Sequence, residues 1–369
     1  MTSLAQELDA GTREVLDRYG FDAERFEALR ERVRSGELTP EANVVRGTVE
    51  PPRPEDLVRL PEPGEDAEAR AAGEEALRRG ELATVVLNGG MATRFGGVVK
   101  GTVEVLDGRS FLELKLGSTA DVAEALETSI PVALMTSFAT DVPTRAFVAA
   151  RGLPEPLFFS QDVSLRLEPD GSLFRGDDGR PSLYAPGHGD VLGAIRRSGT
   201  LERLRAQGVR HVVVSNVDNL GARVDPVVFG THLLEGRPLT AEQAVKAGDL
   251  GGAPARVDGE LQVLEGPRFP PDFDHERIPV FNVNTLWVDL DALEPEYELT
   301  WLYVEKTVDG RAAVQLEHLC HELSRFVPTT YLQVPRSGPR GRFFPVKTPE
   351  DLEGARAPLR ELLAASPLR

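Results

Sequence analysis

The stretch that decides the fold is Ala83–Lys100, which reads ATVVLNGGMATRFGGVVK. It opens with apolar and β-branched residues typical of a buried strand, and Gly89 and Gly90 end that run. Comparable runs follow along the chain at residues 131–136, 157–160 and 211–216. Stretches of helical length separate them, among them residues 110–126 and 191–207. Short apolar strands that alternate with helices predict an α/β fold, Rossmann-like, with a mixed, mostly parallel sheet flanked by helices.

The sequence before the first predicted strand has a different character. Residues up to about Leu38 carry apolar side chains at helical spacing and predict amphipathic helices. Residues 51–65 are rich in proline and acidic side chains and predict an irregular connector, after which residues 66–79 predict another helix. A helical extension therefore precedes the α/β region. In parallel sheets, ligands bind beyond the carboxyl ends of the strands, so the candidate site is expected there.

The composition limits the ligands that the chain can bind. The formal net charge is -17 at pH 7, which argues against nucleic acid as a partner because no broad cationic surface can release counterions. A few lysines and arginines in one cleft could still attract a small phosphorylated ligand. Cys320 is the single cysteine, which excludes an intramolecular disulfide, and no apolar run reaches membrane-spanning length. We therefore expect no membrane partner and a cytoplasmic location.

The glycine turn after the first strand suits a phosphate or a base. Gly89 and Gly90 lack Cβ atoms, so their backbone N–H groups can approach a ligand closely. Arg94 and Lys100 could neutralise a triphosphate and the charge that develops on a leaving group. The spacing is neither a Walker A loop nor a dinucleotide fingerprint. An ordinary strand-to-helix turn would carry the same glycines, so both interpretations stay open here.

A second polar cluster follows the strand at residues 211–216. Asn216, Asp218 and Asn219 come at its end, where a carboxylate can hold Mg²⁺ together with phosphate oxygens. The alternative is an Asx turn that closes the strand.

Two further segments carry polar groups suited to a ligand. In residues 184–190, glycines flank His188, whose imidazole can donate to a phosphate; the alternative is a rigid turn whose aspartate caps the next helix. In residues 281–287, alternation predicts Asn282 and Asn284 on one side of a strand. Two amides on one face suit sugar hydroxyls, although a cross-strand polar pair would have the same pattern.

The run His318-Leu-Cys-His321 raises the alternative of a metal or thiol site. Its ligands are too few for a closed zinc site. The pattern instead predicts a helix with Leu316 and Leu319 buried, and no Ser-His-Asp arrangement can be argued from the sequence.

Six segments, in the same order, resemble the UDP-sugar pyrophosphorylase family, and in particular its eukaryotic-type UTP–glucose-1-phosphate uridylyltransferases. They are the glycine loop at 87–100, MTSF at 135–138, PGHGD at 186–190, VSNVDNLG at 214–221, FNVNTLW at 281–287 and PVKT at 345–348. One such match is weak, whereas six collinear matches are highly specific. The resemblance implies a fold of the nucleotide-diphospho-sugar transferase type.

The resemblance also implies a role for individual residues. The implied roles are catalytic for Lys100, Arg94 and Lys347; nucleotide-binding for Gly89, Gly90, Gln161, Gly187 and His188; sugar-binding for Asn216, Glu265, Asn282 and Asn284; and Mg²⁺-binding for Asp218.

The implied reaction is attack of a sugar 1-phosphate, glucose 1-phosphate by preference, on the α-phosphorus of UTP with release of pyrophosphate. The nucleophile is already an anion at neutral pH, so neither a general base nor a covalent intermediate is needed. Catalysis then consists of positioning two anions and neutralising their charge with Mg²⁺ and lysines.

Several residues depart from the family pattern. Ala92 replaces a loop glycine, Leu250 replaces a lysine, and Arg94 with the VVKG spacing at 98–101 is closer to the UDP-N-acetylhexosamine branch. A UDP-N-acetylhexosamine or broad-specificity pyrophosphorylase is therefore one alternative. A non-catalytic nucleotide-sugar-binding protein is an alternative of another class.

The resemblance also sets an expected domain organisation. We expect residues 1–75 to form an N-terminal helical extension and linker, 76–345 the nucleotidyltransferase catalytic domain, and 346–369 a short C-terminal helical segment. The C-terminal β-helix domain typical of the glucose enzymes is expected to be lacking, so we expect a monomer rather than their oligomer.

Overall fold

The computed structural model of the chain describes residues 4–92, 97–249, 251–344, 346, 348–365 and 367–368. Within these residues the dominant feature is an eight-stranded sheet. Its strands are β1 (Leu57–Arg59), β2 (Leu82–Leu87), β3 (Val132–Thr136), β4 (Leu157–Ser160), β5 (His211–Asn216), β6 (Leu239–Val245), β7 (Val280–Asp289) and β8 (Thr329–Val334). They lie in the order β1-β8-β6-β7-β5-β2-β3-β4, and all neighbours are parallel except the two pairs that β7 makes.

Helices surround this sheet. The described residues form α1 (Leu4–Glu7), α2 (Ala10–Arg18), α3 (Ala23–Arg34), α4 (Ala67–Arg78), α5 (Phe111–Ala125), α6 (Asp141–Ala150), α7 (Val191–Arg197), α8 (Thr200–Ala206), α9 (Pro226–Glu235) and α10 (Pro349–Ala364). Short 3-10 turns lie at Glu41–Asn43, Pro54–Asp56, Lys100–Thr102, His188–Asp190, Gly266–Arg268, His275–Arg277, Leu290–Leu293 and Cys320–Arg325.

Smaller strand pairs decorate the sheet. Val49–Glu50, Ala253–Val257 and Glu260–Leu264 form a three-stranded antiparallel sheet. Two-stranded pairs are formed by Ser164–Leu165 with Leu183–Tyr184, Leu302–Val308 with Arg311–Glu317, Met91–Ala92 with Val98–Val99, and Glu104–Leu106 with Arg109–Ser110.

Both faces of the central sheet are covered. Successive residues of β2 enter different hydrophobic clusters, because side chains alternate across a strand. Val85 packs with Ile195 of α7, whereas Leu82 packs with Leu77 of α4 and Phe229 of α9. The core therefore lies in two layers, as the continuous apolar strands predicted.

The predicted strands are confirmed and lie side by side as β5, β2, β3 and β4. Leu87, the last residue of β2, pairs with Asn216 of β5 on one side and Met135 of β3 on the other. Because these strands are parallel, their carboxyl ends meet at one edge of the sheet. The expected α/β fold with a mostly parallel sheet and flanking helices is confirmed.

The helix predicted at residues 110–126 is confirmed as α5. A capping box starts it, in which the Ser110 hydroxyl accepts from the N–H of Glu113 and the Glu113 carboxylate accepts from the N–H of Ser110. Residues 191–207 form two helices rather than one, because Gly199 has a φ of +70° and interrupts the helical path.

Two other local predictions are wrong. Residues 51–65 are not wholly irregular, because β1 forms there and pairs in parallel with β8. Residues 316–321 are not an α-helix: Leu316 lies in a strand, and the 3-10 turn Cys320–Arg325 follows. Leu316 is buried as predicted, whereas Leu319 is half-buried. A run this short has too little periodicity to separate a helix from a strand followed by a turn.

Strand β7 contains a bulge at the predicted asparagine pair. Ala241 of β6 pairs with Leu286 and Gln243 pairs with Asn282, so β7 has the longer path between these two pairs. Asn284 lies in this path with a φ of +53°, a left-handed conformation that asparagine tolerates better than most residues. The bulge interrupts the predicted alternation and changes the direction of the side chains there.

The N-terminal helices share one hydrophobic cluster with residues from later in the chain. The carboxylates of Asp9 and Asp22 cap α2 and α3 by accepting backbone N–H groups. Phe26 and Leu29 of α3 pack with apolar residues that include Leu165 and Leu316. No helix formed by the described residues is long and apolar enough to cross a membrane.

Candidate active site

A cavity of about 290 Å³ lies beyond the carboxyl ends of β2, β3 and β5. It is lined by Leu87, Gly89, Gly90, Lys100, Met135, Gln161, Ala185, Gly187, His188, Asn216, Val217 and Asp218. These residues come from distant segments of the chain, and the parallel register of the three strands brings the segments to one edge. The cavity therefore unites all the predicted nucleotide-binding residues with Lys100, Asn216 and Asp218.

The glycine turn leaves no room for a side chain at its first position. A Cβ at Gly89 would lie 1.9 Å from Nε2 of Gln161, and the Ser137 hydroxyl donates to the Gly89 carbonyl at 2.9 Å. A Cβ at Gly90 would meet no described residue within 4 Å. Gly89 is thus required by packing against Gln161, whereas Gly90 leaves its backbone open to the cavity.

Lys100 and Asp218 form an ion pair at the cavity. The ammonium of Lys100 donates to Oδ2 of Asp218, and the two side chains are 22% and 21% exposed. Among the described residues that line the cavity, Asp218 is the only carboxylate. One carboxylate fits Mg²⁺, which proteins hold through one or two carboxylates and the phosphates of a substrate.

The loop at residues 186–190 is held by backbone contacts to His318. Gly187 has a φ of +105°, and a Cβ there would lie 2.5 Å from the His318 carbonyl oxygen. The same carbonyl accepts from the N–H of Gly189 at 2.9 Å, and the N–H of His318 donates to the Pro186 carbonyl at 2.9 Å. These contacts explain why glycines flank His188.

His188 is a neutral hydrogen-bond donor in this cavity. Burial lowers the pKa of His188 to about 3, and the neighbouring His321 contributes to the shift. The backbone N–H of Cys320 donates to Nδ1 of His188 at 3.2 Å. Nδ1 is therefore an acceptor, so the ring proton lies on Nε2 and can be donated to a ligand. The run at 318–321 thus belongs to the site, a role that its sequence pattern did not indicate.

The predicted sugar-binding residues are only partly brought together. Asn216 lines the cavity, and its Oδ1 accepts from Nδ2 of Asn284 at 3.1 Å across the β5–β7 boundary. Asn282 accepts from the N–H of Asn284 at 3.3 Å. Neither Asn282 nor Asn284 is among the described lining residues.

Glu265 is not among the described residues that line the cavity, but it contacts His321, which lies next to His188. Its Oε2 is 3.2 Å from Nε2 of His321, whose ring centroid is 5.8 Å from that of His188. Burial is the largest single influence and would raise the pKa of Glu265, but the hydrogen bond from His321 and the electrostatic effects of His321 and His188 together hold that pKa below its usual value. Glu265 is therefore an ionised carboxylate at neutral pH.

A buried carboxylate next to Gln161 connects the cavity to the N-terminal helices. Asp162 is paired with Arg25 of α3 at 2.8 Å and with Arg197 of α7. Its backbone N–H donates to Oδ2 of Asp190 at 2.8 Å. Burial and the nearby Asp190 raise the pKa of Asp162.

Contacts through His318 and Trp301 link Asp190 back to Arg25. Oδ1 of Asp190 is 2.7 Å from Nε2 of His318, and the His318 ring stacks on Trp301 with centroids 4.3 Å apart. The Arg25 guanidinium lies 5.6 Å from the centroid of the Trp301 ring. We call Arg25, Asp162, Asp190, His318 and Trp301 the Arg25 network. Arg25 and Asp162 are 137 positions apart, so no local pattern in the sequence could indicate their pairing.

Lys115 is a second residue that the sequence did not single out. It is buried in α5, and its ammonium donates to the carbonyls of Asn219 and Ala222, in the loop that follows Asp218. Burial lowers the pKa of Lys115 to about 7. The sequence signal that could have identified it is a lysine among the apolar residues on one face of the predicted helix.

The remaining predicted residues cannot be compared with the structure. Arg94, Lys347 and Leu250 lie outside the described residues, and so does the side chain of Ala92.

Larger clefts exist elsewhere on the molecule. One of them has a volume of about 990 Å³, and arginines that include Arg237 and Arg256 line it. It lies away from the carboxyl ends of the parallel strands, and none of the predicted nucleotide-binding residues is among its described lining residues. Position relative to the sheet and chemistry therefore identify the smaller cavity as the candidate active site.

The fold is similar to that of sugar-nucleotide pyrophosphorylases. A uridine diphosphate N-acetylglucosamine pyrophosphorylase from Trypanosoma brucei superposes with a TM-score of 0.78 at 20% identity, covering 94% of this chain and 79% of that one. A mutant UDP-glucose pyrophosphorylase from Leishmania major, in complex with UDP-glucose, gives a TM-score of 0.71 at 23% identity, covering 96% and 79%.

Sequence comparison assigns the family. The model of the UTP–glucose-1-phosphate uridylyltransferase family matches residues 23–363. The chain belongs to this family. It is 32% identical over 290 residues to the enzyme of that name from Solanum tuberosum, and 31% identical over 328 residues to the probable one from Schizosaccharomyces pombe. These alignments cover 74% and 82% of this chain but 60% and 63% of the relatives, so the chain spans about three fifths of their length.

Proposed function

We propose that this chain transfers a uridylyl group from UTP to a sugar 1-phosphate, with glucose 1-phosphate as the preferred acceptor. The observation that carries the proposal is the cavity at the strand ends, where a glycine turn, a neutral histidine and the Lys100–Asp218 pair meet. Membership of the family supports the same reaction.

The uridine end is assigned to the glycine turn. Within the described part of the chain no atom lies close to the Cβ position of Gly90, so a planar base can contact its backbone. Gln161 reaches the same turn, because its side-chain amide lies against Gly89. That amide offers both a donor and an acceptor, which is what the edge of uracil requires.

The phosphates are assigned to the other side of the cavity. Nε2–H of His188 can donate to a phosphate oxygen without adding a charge, while Lys100 supplies a positive charge. Asp218 would hold Mg²⁺, which supplies positive charge against phosphate oxygens when it is bound. Once Asp218 has this partner, the ammonium of Lys100 is free to face the transferred phosphate.

No group in the cavity needs to remove a proton from the acceptor. The sugar phosphate already carries the anionic oxygen that attacks the α-phosphorus, and His188, with a pKa of about 3, is a neutral imidazole with one N–H throughout the physiological range. The chain's own contribution is therefore to orient two anions and to offset their repulsion. We propose that the sugar is selected by four polar residues, Asn216, Asn282, Asn284 and Glu265.

A pyrophosphate-release assay tests the proposal. The intact chain is incubated with UTP, Mg²⁺ and glucose, galactose or N-acetylglucosamine 1-phosphate, and kcat/KM is measured for each. We expect the highest value with glucose 1-phosphate and no turnover without a divalent ion. The Asp218→Asn variant should lose turnover while keeping its melting temperature.

Other outcomes identify the alternatives. A preference for N-acetylglucosamine 1-phosphate would assign the chain to the other branch of the fold. Measurable UTP binding without turnover on any sugar would make it a nucleotide-sugar-binding protein.

We further propose a cytoplasmic monomer whose residues 1–75, 76–345 and 346–369 form the extension, the catalytic domain and a terminal helical segment. The support is a single, buried cysteine and a helical extension whose apolar face is covered by residues of the same chain, among them Leu165 and Leu316. Sedimentation velocity tests the monomer, and a dimer at micromolar concentration would contradict it.

A further inference from the structure

A second cluster of potential ligands lies at the end of the sheet opposite the candidate active site. His211 is the first residue of β5, and Asp289 is the last residue of the antiparallel strand β7, so the two face each other in register. His232 comes from the last turn of α9, which covers this part of the sheet. Three regular elements, rather than a loop, therefore position the three side chains.

The ligand atoms are close enough to share one ion. Nδ1 of His211 lies 2.8 Å from Oδ1 of Asp289, and Nε2 of His232 lies 3.1 Å from the same oxygen. All three atoms lie within 4.8 Å of one another. Ligands around a tetrahedral zinc ion, with bonds of about 2.0 to 2.1 Å, are separated by roughly 3.3 Å. Small side-chain rotations would therefore accommodate an ion.

The surroundings also fit a metal site. Nδ1 of His232 is 2.9 Å from the hydroxyl of Thr240, so the ring is oriented by a second hydrogen bond. His232 is 1% exposed, His211 15% and Asp289 36%, so the cluster is buried on the helix side and open on the carboxylate side. Water could complete the coordination from that open side.

The hydrogen-bond geometry allows the ligand nitrogens to face an ion. Nδ1 of His211 and Nε2 of His232 both point at Oδ1 of Asp289. A metal would take the place of any proton on these two nitrogens, so its binding requires that proton to leave or to move to the other ring nitrogen. For His232 that other nitrogen is Nδ1, which faces the Thr240 hydroxyl and can donate to it.

From this geometry we infer that His211, His232 and Asp289 form a binding site for a divalent transition metal, with zinc as the best match. Two imidazoles and one carboxylate favour zinc or cobalt over magnesium, which prefers oxygen ligands. The site lies apart from the candidate cavity, so the bound metal would fasten α9 to β5 and β7 rather than act on a substrate.

Spectroscopy on the intact chain tests the inference directly. Chelator-treated protein carrying Asp218→Asn, which removes the proposed magnesium ligand, is titrated with Co²⁺. We expect one equivalent per chain with the absorption bands of a tetrahedral ion. X-ray absorption of the zinc-loaded wild-type protein should show nitrogen and oxygen ligands, including two imidazoles and no sulfur. A sulfur ligand would place the metal at Cys320 instead and overturn the inference.

Variants then identify the ligands. His211→Gln and Asp289→Asn, the two more exposed positions, should each weaken Zn²⁺ binding at least tenfold and abolish the rise in melting temperature that Zn²⁺ gives the wild type. His275→Gln is the matched control, because His275 packs between Phe269 and Phe273 outside the cluster. Unchanged Zn²⁺ affinity in both cluster variants, or equal loss in the control, would overturn the site. If a variant fails to fold, the X-ray absorption spectrum of the zinc-loaded wild-type protein still tests whether two imidazoles bind the metal.

Discussion

The ammonium of Lys100 is hydrogen-bonded to the carboxylate of Asp218, so the lysine and the aspartate that line the candidate cavity neutralise each other. Mg²⁺ that binds Oδ2 of Asp218 would compete with Lys100 for this oxygen, and the displaced ammonium would become available to the phosphates. We therefore expect the ion pair to couple occupation of the proposed metal site to release of the proposed catalytic lysine.

Replacing Lys100 by methionine should separate metal binding from turnover. Loss of a partly exposed pair changes the free energy of Mg²⁺ binding by up to about 1 kcal/mol, so the ligand-free variant should bind Mg²⁺ more tightly, by a factor of up to about five. Turnover should fall by a factor of about 100 or more, since a charge facing the transition state is lost. Calorimetry and the pyrophosphate-release assay measure the two effects.

Lys306→Met is the control for this prediction. Lys306 is 45% exposed and pairs with Glu317 on a surface hairpin, so its loss should change neither quantity. A loss of turnover below tenfold in Lys100→Met, or an unchanged affinity for Mg²⁺, would contradict the proposed role of the ion pair.

Alanine at Gly90 should weaken UTP binding without destabilising the fold. A Cβ there is within 4 Å of none of the residues that the structure describes, but it occupies the space in which the base is proposed to lie. We expect at least a tenfold rise in the Kd for UTP and a nearly unchanged melting temperature. Gly117→Ala in α5, where a Cβ is likewise clear of every described neighbour, is the matched control and should leave the Kd unchanged. Equal affinities in the two variants would remove Gly90 from the nucleotide site.

His188 should remain neutral throughout the range in which the enzyme is assayed. With a pKa of about 3, its ¹⁵N chemical shifts should not change between pH 5 and pH 8. His188→Gln keeps an N–H donor and should retain more activity than His188→Leu, which has none. A titration of His188 near the usual histidine pKa of about 6.5 would show that the imidazole is not buried as described.

The Arg25 network predicts that the N-terminal extension affects nucleotide binding. Arg25→Ala removes one of two cations from the buried Asp162, next to Gln161, so the Gln161 side chain and the loop at 186–190 should lose their fixed positions. We expect the KM for UTP to rise about three- to tenfold, with kcat changed by less than about twofold.

The control for this prediction lies on the same helix. Arg32 of α3 is 41% exposed and pairs with Glu37, away from the cavity, so Arg32→Ala should leave the KM unchanged. A KM for UTP that is the same in both variants would show that the network has only a structural role.

Lys115 predicts a specific dependence of stability on pH. Its pKa is about 7 in the folded chain and about 10.4 when unfolded, so between these values the unfolded state binds more protons. The stability of the wild type should therefore rise with pH relative to Lys115→Met, by up to about 1.4 kcal/mol per pH unit, and the difference should level off below pH 7.

Urea unfolding from pH 6 to pH 9.5 measures this dependence. Lys306→Met serves again as the control, and its free energy of unfolding should depend on pH in the same way as that of the wild type. If the free energy of unfolding of Lys115→Met also has the same pH dependence as that of the wild type, the ammonium of Lys115 is not buried as described.

The local sequence predicted most of the sheet and much of the cavity. Strands β2 to β5 follow from continuous apolar runs, and the glycine turn and the aspartate after β5 follow from their positions at strand ends. The predictions failed where neighbours in space decide the outcome. The pattern at residues 318–321 predicts a helix. In the structure the Cys320 N–H donates to Nδ1 of His188, and the backbone of His318 is hydrogen-bonded to Pro186 and Gly189.

The sequence by itself determined the α/β fold class, the parallel strands and the residue types available at their ends, because periodicity and glycine turns are local properties of the chain. Only the tertiary structure decided that Lys100 pairs with Asp218, that His188 is a neutral donor and that Arg25 reaches Asp162. The physical reason is that ion pairs and pKa values depend on burial and on distances between residues far apart in sequence.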